Sequence, residues 1–538
     1  MALAWGVFPL LLLAICLGCG LLVEWIAGWR LPGALLPSIG LALIIVVASL
    51  TTRNPHTAPL TTAAVVVLTV AGFALGWRRA RGLRPKGWPL AVGLASYAVF
   101  AAPVVLSGSA AFLGYFTLND AAVHFALIDQ LLSHGRDLSN LHPPSSVSAV
   151  LQNYISTSYP VGSQVALGAV RPLIGQDIAW IFQPYMAVIM SLGAVNIYVL
   201  LEGVVSSRPL RALTAFIAGQ AGLLYAYYLE ASIKELASAW VITLVVALVF
   251  LTLAGQVGLR RLVPLAIVAV AGLDVLNLAI APWLALPLAC FVVVVAWRFR
   301  HAARRTSTRR LVIGTVIFLA ALAVIAAPVI RGVSSFVNTA EGVLTQSGDL
   351  GNLFSPLQKW EMFGIWPSGD FRLDVTGHSR ITYALIGIAV ASAVFGVIWL
   401  WRRRSWAPLL LIVSDAIAAG FLLTRASPYA SAKVMAIFSL ATVLAAMLGA
   451  AALNDYGRRL ECWGLAAVIA GGVLWTNALG YKYSAVAPRG RLEELAQIGR
   501  RFSGQGPAFY NLSDEFAIHF LRGEAPDDIA IGGPPAPA

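Results

Sequence analysis

Apolar stretches of about 20 residues recur along almost the whole chain, the length a helix needs to cross the roughly 30 Å hydrocarbon core of a bilayer. About fourteen are present: 6–26, 33–51, 59–77, 89–108, 179–203, 210–228, 235–255, 262–280, 281–298, 311–330, 381–401, 407–424, 434–452 and 461–480. The pair within 262–298 is divided at Ala281-Pro282-Trp283, and both halves are short. Of the 538 residues, 59% are hydrophobic and 11% charged, against about 45–50% apolar and 25% charged in soluble domains. That balance excludes an ordinary cytosolic enzyme, a disordered chain and a secreted disulfide scaffold. The expected fold is an all-α polytopic membrane protein with about fourteen transmembrane helices, two long extracytoplasmic loops and a short extracytoplasmic tail.

The net charge of +13 comes from basic residues set in short runs between the apolar stretches. They are Arg78-Arg79, Arg81, Arg84 and Lys86; the run from Arg298 to Arg310; Arg402-Arg403-Arg404; and Arg458-Arg459. Such spacing follows the positive-inside rule and argues against a nucleic-acid groove. With these runs cytoplasmic, sides alternate without exception, provided 161–175 does not cross; that segment reads as re-entrant or interfacial. Both termini then fall outside. Residues 1–88 form accessory helices, 89–480 a core with external loops 108–176 and 331–380, and 481–538 a tail whose last residues are expected to be disordered. Cys16, Cys19, Cys290 and Cys462 lie in or beside apolar stretches and read as small buried hydrophobes. A lipoprotein signal ending at Cys19 is disfavoured, because no basic segment precedes it. The sequence shows no internal repeat and no matching pair of interrupted helices, which argues against inverted-repeat transporters.

The polar chemistry sits in the external segments. From Asn119 the first loop reads as an amphipathic helix with Asn119 as its cap. Asp120 and His124, four residues apart, share a face, an arrangement suited to deprotonating a hydroxyl. The plainer alternative is a first-turn acid facing the helix dipole beside a solvated histidine. Further on, Tyr154 and Tyr159 lie in a hydroxyl-rich segment that can stack on a sugar ring or simply turn the chain. The turn 227–235 compresses Glu230, Lys234 and Glu235 between two apolar walls. Charges there are costly unless partnered or hydrated. Lys234 can hold a phosphate as a point charge, and either glutamate can face a hydroxyl or a cation; a surface ion pair is the alternative. In the second loop, Trp360 and Trp366 with Asp370 and Arg372 make a compact aromatic segment. It reads as a lid or sugar platform, or as interfacial anchors. Arg425 and Lys433 flank another external turn. With Lys234 they can bind a phosphodiester or pyrophosphate head group, or merely snorkel. Asp274 and Asp415 lie within apolar stretches. No P-loop, dinucleotide fingerprint, HExxH or GxSxG is present, so nothing points to ATP use or a standard zinc site.

This layout resembles the GT-C superfamily of membrane glycosyltransferases, over roughly residues 89–480. The resemblance is carried by Asn119-Asp120 just beyond a membrane helix, and by Glu230 and Glu235 in the next external turn, two crossings later. It implies a polyprenyl-phosphate-linked sugar as donor and an envelope glycan or lipid as acceptor. It further implies inverting transfer on the extracytoplasmic face of the plasma membrane, with Asp120 as general base and His124 nearby. Glu230 and Glu235 would then be catalytic. Lys234, Arg425, Lys433 and Arg372 would bind donor phosphate; Asn119, Tyr154, Tyr159, Trp360, Trp366 and Asp370 would bind sugar or acceptor. Three helices precede the superfamily core, and the first motif is Asn-Asp rather than an Asp-x-Asp pair. No Trp-Trp-Asp motif is present, so en bloc oligosaccharide transfer is not expected. No cofactor is demanded, and a divalent cation stays open. Two other readings remain: a flippase for a lipid-linked sugar or other anionic lipid, and a non-catalytic envelope-assembly subunit.

Overall fold

The computed structural model describes residues 1–84, 87–115, 120–141, 145–255, 258–302, 348–510 and 514–528, together with 316, 319–327, 329 and 332. Eleven helical stretches among these residues are long and apolar enough to cross a bilayer, and twelve when one bent pair is taken as a span. The chain is therefore a multi-pass helical membrane protein. A two-residue parallel pairing joins Phe509–Tyr510 to Asp527–Asp528 in the tail.

The first layer is α1 (Phe8–Ala27), α2 (Leu36–Thr51) and α3 (Thr61–Leu75), with a short basic helix α4 (Trp77–Gly82). Glycines let these helices touch backbone to backbone, the usual means of helix association in lipid. A Cβ on Gly40 would fall 1.7 Å from the Cys16 carbonyl oxygen, and one on Gly72 would fall 1.8 Å from that of Gly18. The next crossing is α5 (Gly87–Ser107). The first loop then carries α6 (Asp120–His134), α7 (Ser146–Ser156) and α8 (Gly162–Val170). Nine residues rise only about 13 Å, so the buried α8 is less than half a crossing. Two central helices, α9 (Ile178–Leu200) and α12 (Ile233–Leu253), follow in the core, separated by α10 (Arg208–Ala218) and α11 (Gly222–Leu229). A buried polar knot ties α2, α9 and α12 together: Ser38 donates to Asn196 Oδ1 at 2.8 Å, and Trp240 Nε1 donates to Ser38 Oγ at 3.3 Å.

One feature departs from the simple series of fourteen straight crossings. The expected helix 210–228 is broken: α10 and α11 meet at a 52° bend. The freed backbone is satisfied from elsewhere, as lipid requires. Asn477 Nδ2 donates to the Gln220 carbonyl at 2.8 Å, and the Gly222 amide donates to the Gly364 carbonyl at 3.0 Å. The pair expected within 262–298 forms one continuous run of 40 helical residues, Leu259–Arg298, through α13 (Val263–Leu276), a 3-10 turn and the start of α14 (Ala281–Ala302). Straight, it would hold its ends about 60 Å apart. Yet Arg298 donates to the carbonyls of Leu253 and Gly255 at 2.6 and 3.3 Å, and a Cβ on Gly255 would lie 2.1 Å from Arg261 Nη1. Both ends meet the same end of α12, so the run doubles back at Asn277–Ile280 and crosses twice. Most of the expected helix 311–330 lies outside the described residues; 319–327 are helical.

The last four crossings are α15 (Ser379–Arg402), α16 (Trp406–Leu423), α17 (Pro428–Asp455) and α18 (Arg459–Tyr483). The tail adds α19 (Arg489–Arg501) and the short α20 (Ala517–Phe520). One end of the bundle gathers arginine contacts, including Arg79–Glu24 at 3.1 Å, Arg260 to the Ile26 carbonyl at 2.9 Å, and Arg403–Asp455. The two loops and the tail cover the other end, here called the loop face. Val434 to Ala452 of α17 are largely buried, which makes that helix a central post beneath the loop face.

Candidate functional site

On the loop face, charged side chains from α6, α12 and α17 converge. Asp120 opens α6, where a carboxylate complements the N-terminal dipole. Lys234 and Glu235 lie in the first turn of α12, and Lys433 is one turn into α17, which Ser427 caps by accepting from the Ala430 amide. Lys433 Nζ lies 3.5 Å from Glu235 Oε1 and 4.2 Å from the centre of the Tyr429 ring. Lys234 Nζ sits 4.0 Å over the Tyr159 ring, a cation–π contact. Glu235 is buried, while Asp120 and both lysines are partly open. Burial pushes the Asp120 carboxyl above the ordinary carboxylate range; Lys433 and Lys234 pull it back, and Glu235 adds to the rise.

His124 stands behind this group rather than in it. It is buried, with Nε2 3.3 Å from the Tyr159 hydroxyl and Nδ1 without a hydrogen-bond partner. Burial and the two lysines hold its pKa down to about 3, so the imidazole is neutral and supports Tyr159. Tyr154 meets Tyr159 edge to face, ring centres 4.7 Å apart. Burial pushes the Tyr154 hydroxyl up to about 12. Asn119 lies outside the described residues.

A second group adjoins the first across the α11–α12 turn. Glu230 is buried. Asn352 Nδ2 donates to its two oxygens at 3.4 Å each, and Arg372 Nε is 4.0 Å away. Arg372 itself grips Asp370 through Nε at 2.9 Å and Nη2 at 2.6 Å. Burial, against Arg372 and with Asp370, pushes the Glu230 carboxyl up to about 8. Glu230, Asp370 and buried Glu361 line a cavity of about 170 Å³ together with Trp366 and Tyr483. Gly114 holds the first loop against this turn. Its φ is +82°, and a Cβ there would fall 2.7 Å from the Glu230 carbonyl carbon, so only glycine fits.

Three expected site residues are placed differently. Arg425 is exposed and does not join the lysines; its guanidinium lies 4.1 Å over the Phe421 ring and donates to Thr424 Oγ1. Trp366 is buried, donating from Nε1 to the Leu373 carbonyl and from its amide to Thr476 Oγ1, so it is a wall rather than a platform. Trp360 is 50% exposed and packs tilted against Phe363, ring centres 6.2 Å apart. Among the described residues no group of three His, Cys, Asp or Glu side chains is arranged to hold a metal ion.

Sequence reading missed a third cluster, which docks the tail. His519 is fully buried, its Nδ1 3.0 Å from Asp129 of α6 and its Nε2 2.8 Å from Asp177, the cap of α9. Arg522 reaches the same two acids at 3.0 and 3.9 Å, and Arg171 pairs with Asp129. Nearby, Tyr115 donates to Asp514 at 2.7 Å, and Arg491 is 3.3 Å from it. The only local signal was an acid on each of two external elements and a histidine in the tail. No protein-family model matches the chain, and no curated protein is similar to it.

Proposed function

We propose that this protein is a GT-C-like glycosyltransferase, moving a sugar from a polyprenyl-phosphate donor to a hydroxyl of an envelope glycan or lipid on the extracytoplasmic face. One observation carries the reading: Asp120 meets Lys234, Lys433 and Glu235 where chain leaves the membrane. Such transfer needs an acid–base group beside an anion site, and a carboxylate beside two lysines supports that reading. Asp120 takes the proton from the acceptor hydroxyl. Its raised pKa brings it nearer the range in which a carboxylate is an effective base. The acceptor oxygen attacks the anomeric carbon from the side opposite the phosphate, inverting it. The bond from that carbon to the phosphate oxygen breaks, and the lipid phosphate departs with the electron pair. Lys234 and Lys433 neutralise the charge it gains, the kind of term that usually dominates such catalysis. Glu235 and Tyr429 hold Lys433 in place, and His124 holds Tyr159 beneath Lys234. Neither ATP nor a cofactor is required, because the lipid phosphate linkage is already activated.

The test is release of polyprenyl phosphate by purified protein in nanodiscs, given a panel of polyprenyl-phosphate sugars and a glycan acceptor extract. Asp120→Asn should insert and purify as wild type but lose transfer by about 10²–10⁴-fold; undiminished turnover would rule Asp120 out as the base. The broken α10–α11 helix favours a second reading, since interrupted helices are a hallmark of carriers. A flippase would move a labelled lipid-linked sugar across proteoliposomes with no acceptor present. A transferase would not.

A further inference from the structure

The arginine end of the bundle holds a feature that sugar transfer does not use. A gutter of about 1040 Å³ runs between α1 and α5 with α9 as its floor. Its walls are apolar: Leu13 and Leu17 from α1, Leu90 and Leu94 from α5, Leu192 and Val195 from α9. Small residues hollow it out. A Cβ on Gly6 or Gly82 would meet nothing within 4 Å, and one on Gly93 would touch Val195 alone at 3.4 Å. Towards the loop face the gutter is shut, where Tyr97 donates to the Trp5 carbonyl at 2.8 Å and the two rings pack 6.2 Å apart. Its other end is lined by Arg79, Arg84 and Glu202, the last 4.0 Å from Arg211. Arg79 is engaged by Glu24 and the Leu31 carbonyl, whereas Arg84 is exposed.

From these features we infer that the gutter is a binding site for an anionic diacyl phospholipid of the cytoplasmic leaflet, its chains along the leucines and its phosphate at Arg84. Three points select this occupant. The polar end lies among the arginine runs, which the positive-inside rule puts on the cytoplasmic side, where anionic lipid is available. Of the charges at the mouth, Arg79 is matched by Glu24 and Glu202 by Arg211, which leaves Arg84 as the cation beside an apolar trough, complementary to a phosphate on hydrocarbon chains. The length is also right. From Leu17 to Trp5 the α1 wall rises about 18 Å, close to the roughly 15 Å of one leaflet, and the Trp5–Tyr97 contact then closes it. A long isoprenoid would overrun that stop. The site is independent of the transferase reading, because it lies at the opposite end of the bundle.

Native mass spectrometry of the full chain, purified in detergent and offered equal phosphatidylglycerol and phosphatidylcholine, tests this. Wild type should retain phosphatidylglycerol at least about fivefold over phosphatidylcholine, the weight of about one basic residue on an anionic lipid. Arg84→Gln should bring the ratio to about one while phosphatidylcholine is still retained. Gly93→Phe, which fills the trough and leaves Arg84 in place, should lose both lipids. Equal retention of the two lipids by wild type, or a preference unmoved by either substitution, overturns the site. Selective retention of added polyprenyl phosphate over phosphatidylglycerol overturns the assignment of its occupant.

Discussion

Asp120 and Lys433 owe their properties to opposing pulls at one boundary: burial disfavours the carboxylate, and the lysines favour it. Glu235 is the group that makes Lys433 tolerable there, and the reverse also holds. Removing one partner of a buried pair strands the other and costs on the order of 3–5 kcal/mol. Lys433→Met should therefore do two things. It should lower turnover by about 10²–10³-fold, as loss of a charge-stabilising group does, and it should destabilise the protein. Combined with Glu235→Gln, it should regain thermal stability but not turnover. If the double variant recovers both, Lys433 is structural and no phosphate is bound there. The residues of this group were legible in the sequence because charges between apolar walls have few structural reasons to exist. Arg425 satisfied the same criterion and was misplaced, since the Phe421 ring one turn back offers its guanidinium a local partner.

At the scale of elements, the crossings were readable because nothing but a helix satisfies its own backbone in lipid. The reach of α6 was readable from its apolar spacing, and Gly135 at φ +61° ends it. The break between α10 and α11 was not readable. Gly219 and Gly222 look like the small residues common throughout these helices, and the groups that repair the break come from residues 364 and 477. That repair is testable. Asn477→Leu removes the donor to the buried Gln220 carbonyl and should cost about 1–3 kcal/mol, as an unsatisfied buried group does. Asn477→Asp retains the shape but not the donor and should cost at least as much. Melting of both variants at the wild-type temperature would mean that water or another group already serves the break.

For the molecule as a whole, the tail is bound into the loop face by charge. His519 faces Asp129, Asp177 and Arg522, with Arg171 on Asp129 and the rings of Phe125 and Phe520 beside it. Burial alone would lower the His519 pKa; Asp177 and Asp129 outweigh it and raise the value above the ordinary imidazole range. His519 and Arg522 in turn hold both carboxyls below theirs, against burial. A raised histidine contributes stability that is complete below its unfolded pKa and lost as pH rises through the folded one. Depressed carboxyls contribute stability that is lost as pH falls. Tail docking should thus be firmest between the two ranges. Hydrogen exchange of residues 514–524 should quicken as pH rises above the normal histidine range, and His519→Leu should abolish that dependence. A flat profile in wild type would show that apolar packing alone seats the tail. None of this was visible locally, because the two acids lie 342 residues or more from His519.

The joint between the broken helix and the second loop has a consequence for how the protein is made. Gly222 is inserted early, yet the carbonyl that completes it belongs to Gly364, and the Gly364 segment is itself held by Trp366 to Thr476 in the last crossing. During synthesis the chain must carry an unfinished helix through the six further candidate spans that follow among the described residues before the closing contacts exist. The loop face is therefore completed last. A chain stopped short of residue 476 would leave its membrane core open at the break, a ready mark for quality control to distinguish the incomplete protein from the finished one.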